Sequence, residues 1–125
     1  MVQSQSSPSF EISPRWQEFI ETKINSFIKW DLVRFFHDNP HIKDTAENIA
    51  GYVGRDTKTI IRELDGLVAN RVLTLTEHNR MKIYKLTSDV ETRKLIGDFV
   101  AACFDRNFRV KAIHHVIHGV AYKPE

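Results

Sequence analysis

The chain has 125 residues, 42% of them hydrophobic, with a formal net charge of +2 and a single cysteine. One core without metal or disulfide staples is within reach of that composition; a lone cysteine excludes an internal disulfide and fits a reducing cytoplasm, and no apolar run approaches the roughly 18 residues of a membrane span. A charge so close to balance excludes indiscriminate phosphate binding, so a nucleic-acid surface must concentrate its bases locally.

In chain order, the opening residues are polar and rich in Ser and Gln, without the basic and apolar regions of a signal peptide, and residues 1–13 read as a disordered arm. Ser13 followed by Pro14 is a helix start. Trp16, Phe19, Ile20, Ile24, Phe27 and Ile28 follow at helical spacing, and Leu32, Val33, Phe35 and Phe36 carry the apolar face to a stop at Asn39 and Pro40. That is long for one helix, which predicts a bend or break between Asn25 and Trp30.

Residues 44–70 carry the most specific pattern. Ala50 is small enough for a second helix to cross close by, and Gly54 supplies the left-handed backbone that ends one helix and reverses the chain. Ile60, Leu64 and Leu67 recur at i, i+4 and i+7, one buried face of a helix over 57–69. Asp44 with Glu47 reads as a capping box, and Asp56 as the N-cap of the second helix. Two runs of β-formers follow, 73–76 and 82–86, joined through 77–81.

On Ile49, Ala50, Gly54, Ile60, Arg62, Leu64, Leu67, Val72 and Leu73, the chain resembles the winged helix-turn-helix regulators in the broad sense that includes the MarR-like and ArsR-like families. The resemblance covers residues 24–87, is specific for fold and says less about target. It implies a mainly α fold with a small β-hairpin, in which 14–87 is the winged helix-turn-helix domain and 73–87 the wing, with extra N-terminal and long C-terminal helices. It also implies double-stranded DNA as partner. Such families usually have Gly just before the first wing strand; Asn70 or Arg71 stands there, and Asn tolerates the left-handed conformation best after Gly.

From residue 43 to residue 85 there are eight Lys/Arg against six Asp/Glu, and their placement says more than their sum. With Ile60, Ile61, Leu64, Leu67 and Val68 toward the core, Thr59, Arg62 and Gly66 face outward. Arg62 suits guanine O6 and N7, and Thr59 a base edge or thymine methyl; the competing assignment for Arg62 is an i, i+3 pair with Asp65. Arg55, Thr57 and Lys58 lie at the turn and the positive end of the helix dipole, placed for phosphate. Gly66 inside a helix costs about 1 kcal/mol relative to Ala, which close approach of DNA or another helix would explain. His78, Asn79, Arg80 and Lys82 would reach the adjacent backbone or minor groove, with Arg80 as the probe, unless this is an ordinary solvated turn.

Ser88 and Glu91 read as a capping box that opens a C-terminal helix running to about residue 118, within a segment 88–125. On it Ile96, Phe99, Cys103, Arg106, Val110, Ile113, Ile117 and Val120 alternate three and four apart. Two readings stand: the face packs on its own domain, or Ile96, Phe99, Cys103, Val110, Ile113 and Ile117 form a homodimer seam. His114 and His118 have the i, i+4 spacing of metal ligands, but no completing Cys or carboxylate follows, so no metal is assigned. With His115, Arg106, Arg109, Lys111 and Lys123 they suggest a basic segment that gains charge below about pH 6.5. Cys103 reads as a buried small hydrophobe, with redox sensing the minor alternative.

No Gly-rich phosphate loop, G-x-S-x-G or H-E-x-x-H pattern occurs, and the carboxylates cluster at helix starts; neither an enzyme nor a cofactor is expected. The function expected is that of a sequence-specific DNA-binding transcriptional regulator, homodimeric and cytoplasmic. The alternative is a winged-helix protein-interaction module in a larger assembly, which Glu63 and Asp65 favour because acids on a groove-facing helix repel phosphate. A small-molecule effector is unknown; aromatic residues around Trp16, Trp30 and Phe104 could line a pocket for one.

Overall fold

In the computed structural model, which describes residues 10–121 and side chains as far as residue 118, the chain runs α1 (Pro14–Lys23), α2 (Phe27–Asp38), β1 (Lys43–Asp44), α3 (Ala46–Val53), α4 (Thr57–Ala69), β2 (Leu73–His78), β3 (Met81–Leu86), α5 (Val90–Ala102) and α6 (Arg106–Ala121). These elements are mainly helical, with one antiparallel sheet in the order β1-β3-β2. No described helix is long and apolar enough to cross a membrane. Residues 1–9 of the expected arm, the Val120 side chain and Lys123 lie outside the described residues.

Short polar side chains set the helix starts by accepting otherwise orphaned N–H groups. Ser13 does so for α1, where Pro14 is the first helical residue. Ser26 accepts from the Lys29 N–H at 3.0 Å and begins α2 anew, so the apolar run from Trp16 to Phe36 breaks at 24–26, at the edge of the expected window. Asp56 caps α4 through the Thr59 N–H at 3.0 Å. Two caps differ from expectation by one residue. Thr45, not Asp44, caps α3, and Asp89, not Ser88, caps α5; in each case the residue nearer the helix has the extended backbone a cap needs.

Gly54 ends α3 at φ 71°, ψ 38°, as its place in the sequence requires, and the Arg55 N–H returns to the Ala50 carbonyl at 2.9 Å. At the end of α4 it is Arg71, not Asn70, that turns left-handed, at φ 66°. Asn70 is held instead across α1's end, its carbonyl accepting from Lys23 Nζ at 2.7 Å. The Val72 N–H then closes on the Leu67 carbonyl at 2.9 Å.

The hairpin is longer and its turn tighter than the sequence indicates. β2 and β3 pair from Leu73 opposite Leu86 to His78 opposite Met81, leaving only Asn79 and Arg80, both at positive φ (52° and 68°), in the turn. Two consecutive left-handed residues match the strand twist; Asn accepts that conformation more readily than Arg. Leu73, Leu75, Tyr84 and Leu86 share the face turned to the helices, on which Lys82 continues toward the tip. β1 pairs with the free edge of β3, Asp44 opposite Tyr84; two residues carry no alternation, and the sequence does not reveal this strand.

The C-terminal segment is not one helix. Asp105 accepts the Asn107 N–H at 3.0 Å and starts α6 afresh, while Arg109 donates to the Cys103 carbonyl at 2.8 Å and ties off α5. The expected seam is split by this break. Ile96 and Phe99 are fully buried in the chain's own core, so they are not free to meet a partner. Phe99 touches Trp16, Phe19, Trp30 and Phe108 at centroid distances of 5.6, 4.9, 5.4 and 5.9 Å. It fills the space between Trp16 and Trp30 where a ligand pocket was conceivable, and Phe104, 82% exposed, takes no part. Among the described side chains of α6, Ala112 and Val116 are buried, and the helix packs against α1.

Phe10 and Ile12 do not behave as part of a disordered arm. Ile12 packs against the core, the Phe10 ring stacks on His114 at 3.9 Å, and the Phe10 carbonyl lies 2.7 Å from His115 Nε2. Their apolar side chains have a surface to cover.

Candidate nucleic-acid interface

α4 meets the core through Ile60, Leu64 and Leu67, each fully buried, with Val68 packed beside them. Its outward stripe is Lys58, Ile61, Arg62, Asp65 and Ala69. Ile61, expected in the core, is 39% exposed, because a helix position about 100° from Ile60 falls at the edge of the buried face. Thr57 and Thr59 are half-buried, and the Thr59 hydroxyl donates to the capping Asp56 at 3.0 Å. Arg55 is paired with Asp31 of α2 at 2.6 Å; both are well exposed, and such surface pairs contribute little.

The acids on α4 are turned away from the outward stripe or occupied. Glu63 accepts from Lys29 Nζ at 3.0 Å and Ser26 Oγ at 2.8 Å, both of the α2 start. The side chains of this ion pair are only 14% and 13% exposed. Gly66 makes room for it: a Cβ there would come within 2.7 Å of Lys29 Cε. The neighbour that explains Gly66 is therefore a side chain of α2. Asp65 accepts from the Tyr84 hydroxyl at 2.7 Å; burial first, and then this bond, push the Tyr84 pKa up. Among the described residues Arg62 makes no ion pair, with Asp65 or any other acid.

Burial alone would raise the Glu63 pKa, but the hydrogen bonds from Lys29 and Ser26 outweigh it and hold the carboxyl below its ordinary 4.5. A depressed folded pKa adds stability that is whole above the unfolded value and is lost as pH falls through the folded one. Glu63→Gln is therefore expected to lower stability at neutral pH by about 1.5–3 kcal/mol, the range for a hydrogen bond to a charged group. Urea titrations at about pH 7 and pH 3 should show the gap to wild type closing in acid. A gap of equal size at both would assign the loss to packing.

The hairpin tip presents His78, Asn79, Arg80 and Lys82, all exposed. An open groove of about 660 Å³ joins it to α4, with Ile61 on one side and Arg80, Met81, Lys82 and Ile83 on the other. Asp44, Thr45, Ala46, Glu47 and Asn48, at the α3 start, line the same groove. Asp44 is already satisfied by Asn48 at 2.7 Å, Tyr52 at 2.8 Å and the Thr45 N–H at 2.8 Å. Burial opposes ionisation, but these bonds hold its pKa below the usual carboxylate value.

On α6 the exposed apolar residues are Val110, Ile113 and Ile117, on the side opposite Ala112 and Val116, with Phe104 near its start. Thus the second half of the expected seam faces outward and the first half does not. Cys103 is half-buried, and burial pushes its thiol up to about 11, opposite to what a reactive thiolate needs. The His114 and His118 rings lie 4.1 Å apart, and no group of three or more His, Cys, Asp or Glu among the described residues could hold a metal. Partial burial, then His118 and His115, depress the His114 pKa below 6.5, so its charge arrives at lower pH than composition suggests.

Comparison with protein-family models, with curated proteins and with solved structures gives no match for this chain. Ile61 was missed as a surface residue because it follows Ile60 directly and stands three before Leu64, both core residues, and the partners of Glu63 and Asp65 because they are distant in sequence.

Proposed function

We propose that the protein is a sequence-specific double-stranded DNA-binding transcriptional regulator of the winged helix-turn-helix type, acting as a cytoplasmic homodimer and without an enzymatic step. In this reading α3, the Gly54 turn and α4 are the helix-turn-helix, α4 enters the major groove, and the β2–β3 hairpin is the wing. The observation that carries it is the arrangement of charge on α4: Lys58 and Arg62 are outward and, among the described residues, make no ion pair, while Glu63 is half-buried and paired with Lys29. The Glu63 charge is thus balanced by Lys29, whereas Asp65 meets only a neutral hydroxyl and keeps its charge on the outward stripe, the residue that still favours a protein-interaction module. Arg62 reads a base; Lys58, Thr57 and the Arg80–Lys82 tip meet phosphate or the minor groove. Thr59 and Arg55, being engaged internally, are secondary contacts.

A salt titration of binding to mixed-sequence duplex DNA tests the reading. Affinity should fall steeply with salt, and Arg80→Gly combined with Lys82→Ala should weaken all duplexes alike and reduce the slope by about one to two units. Glycine at position 80 also removes a left-handed arginine, so weaker binding cannot be blamed on a strained turn. Negligible binding even at low salt would turn the assignment to the interaction module, with the Ile61, Met81 and Ile83 groove as its surface.

The homodimer rests on the outward apolar stripe of α6. Two subunits would set their α4 helices in successive major grooves, about 34 Å apart. Ile113→Asp should give monomers, since an unpaired charge in an apolar interface costs several kcal/mol, and because Ile113 is exposed within one chain the monomer should stay folded. Sedimentation of both proteins at micromolar concentration decides; a monomeric wild type rules the dimer out.

A further inference from the structure

Every outward position of α4 from Lys58 to Asp65 is charged except Ile61. An isoleucine with 39% of its surface in water is explained neither by helix propensity, in which β-branched residues are below average, nor by the core, which Ile60, Leu64 and Leu67 already fill. It lines the groove that leads to the hairpin tip and adjoins Arg62 in sequence, on the part of the helix that a major groove would receive.

The major-groove edge of the bases offers donors, acceptors and one kind of apolar group, the pyrimidine 5-methyl. A β-branched side chain in a helix keeps essentially one χ1 rotamer, so its contact is set before binding and little side-chain entropy is lost on docking. We propose that Ile61 reads the 5-methyl group of a pyrimidine in the major groove, next to the base pair contacted by Arg62. This rests on the DNA-binding reading and adds to it a residue that fixes which sequence is preferred. Thymine and 5-methylcytosine present the same methyl, so both are candidates and the experiment separates them.

A duplex enriched by wild-type protein from a random library is the probe. Its thymines are replaced one at a time by deoxyuridine, which removes only the methyl, and its cytosines one at a time by 5-methylcytosine, which adds one. One thymine per half-site should weaken wild type about three- to fivefold when demethylated, the effect of burying one methyl-sized group. Ile61→Ala should lose that sensitivity and bind the thymine duplex as wild type binds the deoxyuridine one, while Ile61→Val retains part of it. If instead a 5-methylcytosine strengthens wild type but not Ile61→Ala, the methyl read is that of cytosine. Sensitivity absent at every pyrimidine, or equal in wild type and Ile61→Ala, overturns the role of Ile61 and leaves DNA binding standing. No enrichment of any duplex overturns both.

Discussion

Phe99→Ala is expected to cost about 3–5 kcal/mol of stability, the range for deleting a buried phenyl ring. The ring is fully buried and contacts Trp16, Phe19, Trp30 and Phe108, side chains of α1, α2 and α6. Those neighbours are large and mutually braced, so they cannot collapse far into the space left behind. Much of the stability of a domain of this size would be lost. The loss should be the same at all protein concentrations, because Phe99 serves one chain's core. A gap between the mutant and wild-type midpoints that closes as both proteins are concentrated would place Phe99 between subunits, against the fold described.

Arg62→Ala is expected to weaken binding to the preferred duplex by about 1–3 kcal/mol, roughly 5- to 150-fold, and to relax preference at one base pair. The side chain is exposed and bears no weight in the core, so folding should be unaffected. The guanidinium makes no ion pair among the described residues, and the one acid that feels its charge, Glu63, keeps Lys29 and Ser26 as partners. A loss of equal size for every sequence would reduce Arg62 to a phosphate contact, and no loss would remove α4 from the interface.

How far the sequence foretold these features depends on how local their causes are. Gly54, the Asp56 cap and the bounds of α4 are written in neighbouring residues and are found where expected. So is the break before α2, where Ser26 offers a cap inside an apolar run. The break between α5 and α6 escaped because the apolar positions keep their spacing of three and four across it. Asp105 was the available signal, and periodicity outweighed it. Ile61 and the tethered acids are of another kind. Whether Glu63 repels phosphate depends on Lys29, which lies 34 positions away, and the way Asp65 is held depends on Tyr84, 19 positions away. A one-dimensional reading sees the charges but not what holds them.

The contact between Phe10 and His115 spans 105 positions, whereas α3, α4 and the hairpin are built largely from neighbours in sequence. Closing a loop that long costs about 2 kcal/mol more than closing one of ten residues, and chains generally form their short-range contacts first. The α1–α6 layer is thus expected to dock last during folding and to open first by thermal fluctuation, as a cooperative unit of lower stability than the rest. Such an opening would withdraw the outward stripe of α6 while leaving the turn at Gly54 intact, so a dimer of the kind proposed would part before the half that carries α4 begins to melt.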